Sequence, residues 1–216
     1  AITTIEDDIT IGLDHALANL AEASGIEADE VSGRHASSSA AGGLRMAAIG
    51  LVPELTLEAA RRAALGAGAK VVAAHGFEID EVILDQVEEA ACDIILLTGG
   101  TDGGNKKVIL HNARMLANSA IGCPILVAGN RVVTKQVGEI LEAADKQVFT
   151  AANVLPTLDK VEVEPAQDLI RDIFIAQITE AKGLAAAQKF VGKDLMPTPL
   201  ASLKAATLLA DGSGGE

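Results

Sequence analysis

Residues 94–116 read Ile94-Ile95-Leu96-Leu97-Thr98-Gly99-Gly100-Thr101-Asp102-Gly103-Gly104-Asn105-Lys106-Lys107-Val108-Ile109-Leu110-His111-Asn112-Ala113-Arg114-Met115-Leu116. A short apolar run rich in β-formers runs into a glycine-dense turn. Val108, Ile109, Asn112, Ala113 and Leu116 then recur at helical spacing. Strand, loop and helix in this order make one βα unit. The rhythm repeats on both sides, with apolar runs at Lys70–Ala74, Ile125–Ala128 and Gln147–Thr150. Helical stripes sit between them: Ile79, Val82, Ile83, Val87 and Ala90, then Val137, Ile140, Leu141 and Ala144. Units of roughly 25–30 residues predict an α/β fold, a parallel sheet of about four βα units of Rossmann-like type covered on both faces.

Helices flank this core. Ile9, Leu13, Ala16, Leu17 and Leu20 predict a first helix over residues 5–23, with Thr3 and Glu6 placed for a capping box. Residues 32–43 read as a loop or an irregular strand. Thr56 is placed to cap a second helix that ends near Gly66. Beyond the core, Leu169, Ile170, Ile173, Phe174, Ile178 and Ala181 predict an amphipathic helix ending at Gly183, and Thr198-Pro199 opens a final one. The expected organisation is a helical and irregular segment over 1–66, the parallel core over 67–152 and C-terminal helices over 153–216, together one domain.

The chain has 216 residues and a formal net charge of −13. Such a balance repels nucleic acid and anionic membranes, and no basic patch longer than Arg61-Arg62 or Lys106-Lys107 opposes it. Aromatic residues are 2% of the chain, with no Trp or Tyr, so stacking platforms for bases are absent. Cys92 and Cys123 lie in apolar sequence beside strands and read as buried structural thiols, not a secreted disulfide scaffold. No apolar run reaches the roughly 18 residues of a membrane span, and no signal peptide opens the chain. The expected compartment is the cytoplasm.

Ligands of open parallel sheets bind outside the carboxyl ends of strands. The richest segment there is Gly99-Gly100-Thr101-Asp102-Gly103-Gly104-Asn105. Its glycines permit tight turning and close approach, and Asn105 can cap the following helix. Lys106 and Lys107 are disfavoured by the helix dipole unless an anion offsets them. Asp102 repels phosphate unless a metal ion or a ligand hydroxyl intervenes. The segment matches neither a P-loop nor a Gly-x-Gly-x-x-Gly fingerprint, and a glycine-rich turn also serves simply to reverse the chain. Gly129 and Asn130, together with Asn153, follow neighbouring strands; the asparagines either point into the same cleft or adopt left-handed turns. Ser38 and Ser39, ahead of Gly42, Gly43 and Arg45, read as an anion-binding nest or as a solvated loop. The four histidines lack metal-ligand spacing, and no serine or histidine is arranged for covalent catalysis, so no catalytic or metal-binding residue is assigned.

Several strings together carry a resemblance. Residues 38–46 and 50–56, Gly99–Asn105 continuing through Ile109-Leu110-His111-Asn112-Ala113, Val127-Ala128-Gly129-Asn130, Asn153-Val154-Leu155-Pro156 and Met196-Pro197-Thr198-Pro199 resemble, in the same order, the MutL (GlmL) family associated with glutamate mutase. That family is distinct from the mismatch-repair protein of the same name. The resemblance implies the actin, Hsp70 and sugar-kinase superfamily, and an ATP-dependent accessory or reactivation protein, chaperone-like, for an adenosylcobalamin-dependent mutase. ATP and magnesium are implied for the full-length protein. Its two phosphate loops, Asp-x-Gly-Ser/Thr and Asp-x-Gly-Gly, are missing here. The chain therefore resembles the stretch between them, a fragment of a longer protein expected to hold no cofactor and to show no ATPase activity alone. The alternative is a small-molecule or nucleotide-binding Rossmann-like domain of an enzyme. A cobalamin domain ranks below it, because Ala74-His75-Gly76 does not supply an Asp-x-His-x-x-Gly motif. A homo-oligomerisation module using residues 169–181 and the last helix is the third reading.

Overall fold

The computed structural model describes residues 9–26, 30–38, 44–179, 184–192 and 196–212. In chain order the elements are α1 (Ile9–Ser24), β1 (Ser37–Ser38), β2 (Leu44–Ile49), α2 (Pro53–Ala67), β3 (Ala69–His75), α3 (Glu81–Glu89), β4 (Ile94–Leu97), α4 (Lys107–Ala117), β5 (Ile125–Val127), α5 (Thr134–Glu142), β6 (Val148–Thr150), α6 (Glu164–Thr179), α7 (Leu184–Val191), β7 (Met196–Pro197) and α8 (Thr198–Asp211). Five strands form one parallel sheet in the order β3-β2-β4-β5-β6. The α/β class and parallel sheet expected from the sequence are present.

Period-two alternation sorts each strand between two cores. Met46, Ala48, Ile94, Leu96 and Leu126 point to one face, where α2 and α6 cover them through Ala59, Ala60, Ala63, Ala166, Ile170 and Phe174. Ala47, Ile49, Ile95, Leu97, Ile125 and Val127 point to the other, under α3, α4 and α5 through Val87, Ile109, Ala113, Leu116, Val137 and Leu141. Because both faces are buried, the strands read as continuous apolar runs. The alanine face of α2 lets its backbone lie close to the sheet and to α6. A Cβ at Gly66 would meet the amide of Gln167, which donates to Arg62 O at 2.9 Å.

The sheet takes in one strand more than the four expected. Leu44-Arg45-Met46-Ala47-Ala48-Ile49 carries a single β-branched residue, so its propensity is poor, yet β2 is central and buried almost throughout. Tertiary burial on two sides overrides local preference. The following helix begins at Pro53 and not at Thr56. Pro53 occupies the first turn, where its missing N–H costs nothing, and Thr56 is buried one turn further in. In the stripe assigned to α3, Val82 is exposed; Asp80 caps the helix by accepting from Ile83 N–H at 3.0 Å.

Two further elements, α7 and β7, sit outside the expected pattern, and β1 falls in the stretch read as a loop or an irregular strand. Helix α7 lies between α6 and α8, and β1 pairs in parallel with β7, joining Ser37-Ser38 to Met196-Pro197. Arg34 stacks over the Phe190 ring of α7 at 4.6 Å. Helix α1 is described from Ile9; Thr3 and Glu6, Ser39, Gly42 and Gly43, and residues 181–183 at the expected end of α6 lie outside the described residues. Among the described residues, no helix is long and apolar enough to cross a membrane.

Candidate functional site

The chain order turns at β2. From it the sheet grows to β3 on one side and to β4, β5 and β6 on the other. Crossovers leaving in opposite directions separate the loops above β2 and β4, which is where open α/β sheets form ligand crevices. A crevice of about 40 Å³ lies there. Leu51, Val52, Leu55 and Thr56 form one wall, Thr98 to Thr101 the floor, and Leu155, Thr157 and Leu158 the far wall. It holds a few waters or the tip of one side chain, far less than the roughly 300–1,000 Å³ typical of small-molecule pockets. Thr98 is 1% exposed, and its Oγ1 is buried without a hydrogen-bond partner.

The Gly99–Asn105 loop rises beside this crevice and is fastened by asparagines from the next two strands. Asn130, fully buried after β5, accepts at Oδ1 from Gly103 N–H and Val132 N–H, both at 3.1 Å. Its Nδ2 donates to Gly104 O and Asn105 O. Asn153, after β6, donates to Gly100 O at 3.0 Å and Asp102 Oδ1 at 2.9 Å, and accepts from Leu155 N–H. Asp102 N–H donates to Pro156 O, and the Asp102 carboxylate accepts from Arg131 N–H and faces the Arg131 guanidinium at 3.4 Å. Three strand-end loops thus form one hydrogen-bonded unit. Neither asparagine has a positive φ, so the left-handed-turn alternative does not hold.

The glycines answer to the loop's own closure. A Cβ on Gly100, at φ +74°, would fall 2.1 Å from Asn105 O. One on Gly129 would lie 3.0 Å from Gly99 N, which places the Gly129 turn against the Gly99 turn on the same rim. Gly99 and Gly100 are buried, and Gly103, Gly104 and Asn105 are exposed, with Thr101 and Asp102 between. Asn105 Oδ1 accepts from Val108 N–H at 3.1 Å, the expected cap for α4. Lys107 meets Glu78 at 3.3 Å, so a protein carboxylate faces that cation where an external anion was considered.

The remaining sequence candidates lie elsewhere. Arg45 sits at the amino end of β2, opposite the rim, where its guanidinium donates to Ala90 O and Ala91 O beyond the end of α3. Ser38 is in β1, paired with Pro197. Sequence reasoning missed Leu51, Val52, Leu55, Thr56 and Phe77. Phe77 holds φ +65° and is 62% exposed. Its amide donates to Leu51 O, and its carbonyl accepts from buried Asn112, while His111 contacts Ile79 O at 2.8 Å. Strained backbone is thereby fixed with an aromatic ring turned outward. The Gly76-Phe77 pair after a strand is the only sequence signal for it.

His75 ends β3 with Nε2 buried and unpartnered, and burial holds its imidazole below the usual histidine range. Asp102 Oδ1 already accepts from Arg131 N–H and Asn153 Nδ2, and its Oδ2 faces the Arg131 guanidinium at 3.4 Å, so a magnesium ion there would meet a cation. Among the described residues there is no group of three or more His, Cys, Asp or Glu able to hold a metal ion.

A sequence model of the MutL protein family matches residues 1–216. The chain belongs to the MutL family. The protein MutL of Clostridium tetanomorphum is 50% identical over 217 aligned positions, which cover 100% of this chain and 46% of that relative. The chain thus spans about half the length of the MutL relative it matches. Most of the strings that carried the resemblance converge on one rim. Residues of 50–56, 99–105 and 153–156 line the crevice, Asn130 and Asn153 fasten its glycine loop, and His111-Asn112 hold the turn at Phe77.

Proposed function

We propose that this chain is the part of a MutL-family accessory protein that contacts an adenosylcobalamin-dependent mutase such as glutamate mutase. In this reading the full-length protein uses ATP to reactivate the mutase, and the carboxyl rim of this sheet is the contact face. Membership of the family over residues 1–216 is the observation that carries the reading. The chemistry of the rim supports contact over catalysis. Asp102, Asn130, Asn153 and His111 are all tied to protein partners, which leaves none of them poised as acid, base or nucleophile. Exposed apolar side chains stand on this rim beside charged ones: Phe77, Val132 and Leu158 are 62%, 54% and 79% exposed, among the exposed Arg131 and Lys107. Aromatic and aliphatic side chains on a rigid frame suit a protein interface.

The direct experiment is a reactivation assay with the full-length protein and turnover-inactivated glutamate mutase. Activity is expected to return only with ATP, magnesium and fresh adenosylcobalamin. No return of activity, together with no binding of the two proteins, overturns the reading. The 216-residue chain alone is expected to have negligible ATPase activity; robust turnover lost on changing Asp102 contradicts this.

The crevice at the strand-order reversal favours a second reading, a small-molecule or nucleotide domain of an enzyme. Its small volume stands against that. Calorimetry with ATP, ADP and cobalamin separates the two, since the first reading expects no heat from this chain with any of them.

A further inference from the structure

At the amino rim, opposite the glycine loop, the turn before β4 and the turn before β5 bring Cys92 Sγ and Cys123 Sγ to 3.6 Å. The two residues are 31 positions apart. Both turns are clamped from outside. Arg45 donates to Ala90 O and Ala91 O on one, and Lys146 Nζ donates to Ser119 O and Ile121 O, each at 2.7 Å, on the other. Both cysteines are half-buried, each beside an exposed residue, Ala91 at φ +44° and Gly122. Sequence reading took these cysteines as separate structural thiols; the fold makes them a pair.

We propose that Cys92 and Cys123 form a redox-reactive dithiol that closes to an intramolecular disulfide when it meets a small disulfide oxidant. Closing the gap to the roughly 2.05 Å of a disulfide takes about 1.5 Å of side-chain movement, within reach of rotation about the two Cα–Cβ bonds. With Cys123 as donor of the shared hydrogen bond, the Cys92 thiol is held below the ordinary range and Cys123 is pushed up, so Cys92 is taken as the attacking sulfur. With a small disulfide, the Cys92 thiolate attacks one sulfur and expels one small thiolate. The Cys123 thiol then gives up its proton to solvent and attacks the Cys92 sulfur of the mixed disulfide, releasing the second small thiol. Two protein thiols lose two electrons, and the oxidant gains them. The bond would staple the amino ends of β4 and β5, the strands whose carboxyl ends carry the Gly99 and Gly129 turns.

The test uses the 216-residue protein, reduced, desalted, treated with oxidised glutathione and then alkylated with iodoacetamide. The expected product is a monomer lighter by two hydrogens that takes no alkyl group and reverts with dithiothreitol. Its melting temperature is expected to rise by about 5–10 °C, since the bond closes a long loop. Cys123→Ser should stop at a glutathione adduct on Cys92. A wild-type protein that keeps both thiols alkylatable, retains a stable glutathione adduct or links two chains overturns the proposal. So does a Cys123→Ser protein whose Cys92 takes no adduct.

Discussion

Asn153 Nδ2 lies 2.9 Å from Asp102 Oδ1, joining the end of β6 to the glycine loop after β4 across 51 positions of sequence. The same amide holds Gly100 O, and its Oδ1 holds Leu155 N–H, so one buried side chain satisfies three partners. Polar groups buried this way are costly when their partners are removed.

Asn153→Ala is therefore expected to destabilise the protein by about 2–3 kcal/mol in urea unfolding, because Gly100 O and Leu155 N–H lose their partners. Amide exchange should accelerate in residues 100–105 and leave β2 protected. A loss below about 0.5 kcal/mol would show that the loop does not depend on this clasp.

Two glycines of the loop should respond differently to the same substitution. Gly100→Ala meets both a positive φ and a backbone oxygen 2.1 Å from the new Cβ, so the loop must open or the protein must lose several kcal/mol. Gly103→Ala meets only the backbone penalty, with nothing within 4 Å, and should cost about 1–2 kcal/mol. Denaturation midpoints of the two variants give the comparison directly.

Thr98 Oγ1 is buried with no hydrogen-bond partner, so Thr98→Val removes an unsatisfied group of nearly the same shape. The expected result is unchanged or improved stability, by up to about 1 kcal/mol. A clear loss in thermal unfolding would mean that the hydroxyl is satisfied in solution.

His75 sets an acid-side dependence. Burial holds its folded-state value below the ordinary histidine value, so the unfolded chain binds a proton that the folded chain resists. Its contribution to stability is therefore complete above the unfolded value and falls as the pH drops through it towards the folded value. His75→Gln should lose less stability than the parent between pH 7 and pH 5, measured by urea unfolding at each pH. Equal losses would remove His75 as the cause.

Much of this was legible in the sequence, for reasons that also explain the gaps. The runs at Ile94–Leu97 and Ile125–Val127 are buried on both faces and so announce themselves as strands. Leu44–Ile49 is buried just as deeply but is built from Leu, Met and Ala, and its identity as a strand comes from its neighbours alone. Missing that strand hid the reversal of strand order, and with it Leu51, Leu55 and Thr56 as crevice walls. The Gly99–Asn105 loop stood out by its glycines, but their reason was not visible. Gly100 is required by Asn105 O, a contact that exists only once the loop has folded back. Arg45 looked like part of an anion nest because sequence proximity to Gly42-Gly43 does not reveal which end of a strand it occupies.

The placement of the mutase on the carboxyl rim is tested most directly by hydrogen-exchange footprinting of the full-length protein with and without glutamate mutase, in the presence of ATP. Protection is expected in residues 76–78, 99–105, 129–132 and 154–158, the loops of the carboxyl rim. Protection confined to the amino rim near Arg45, Cys92 and Cys123, or no protection in a complex shown to have formed, would contradict that placement.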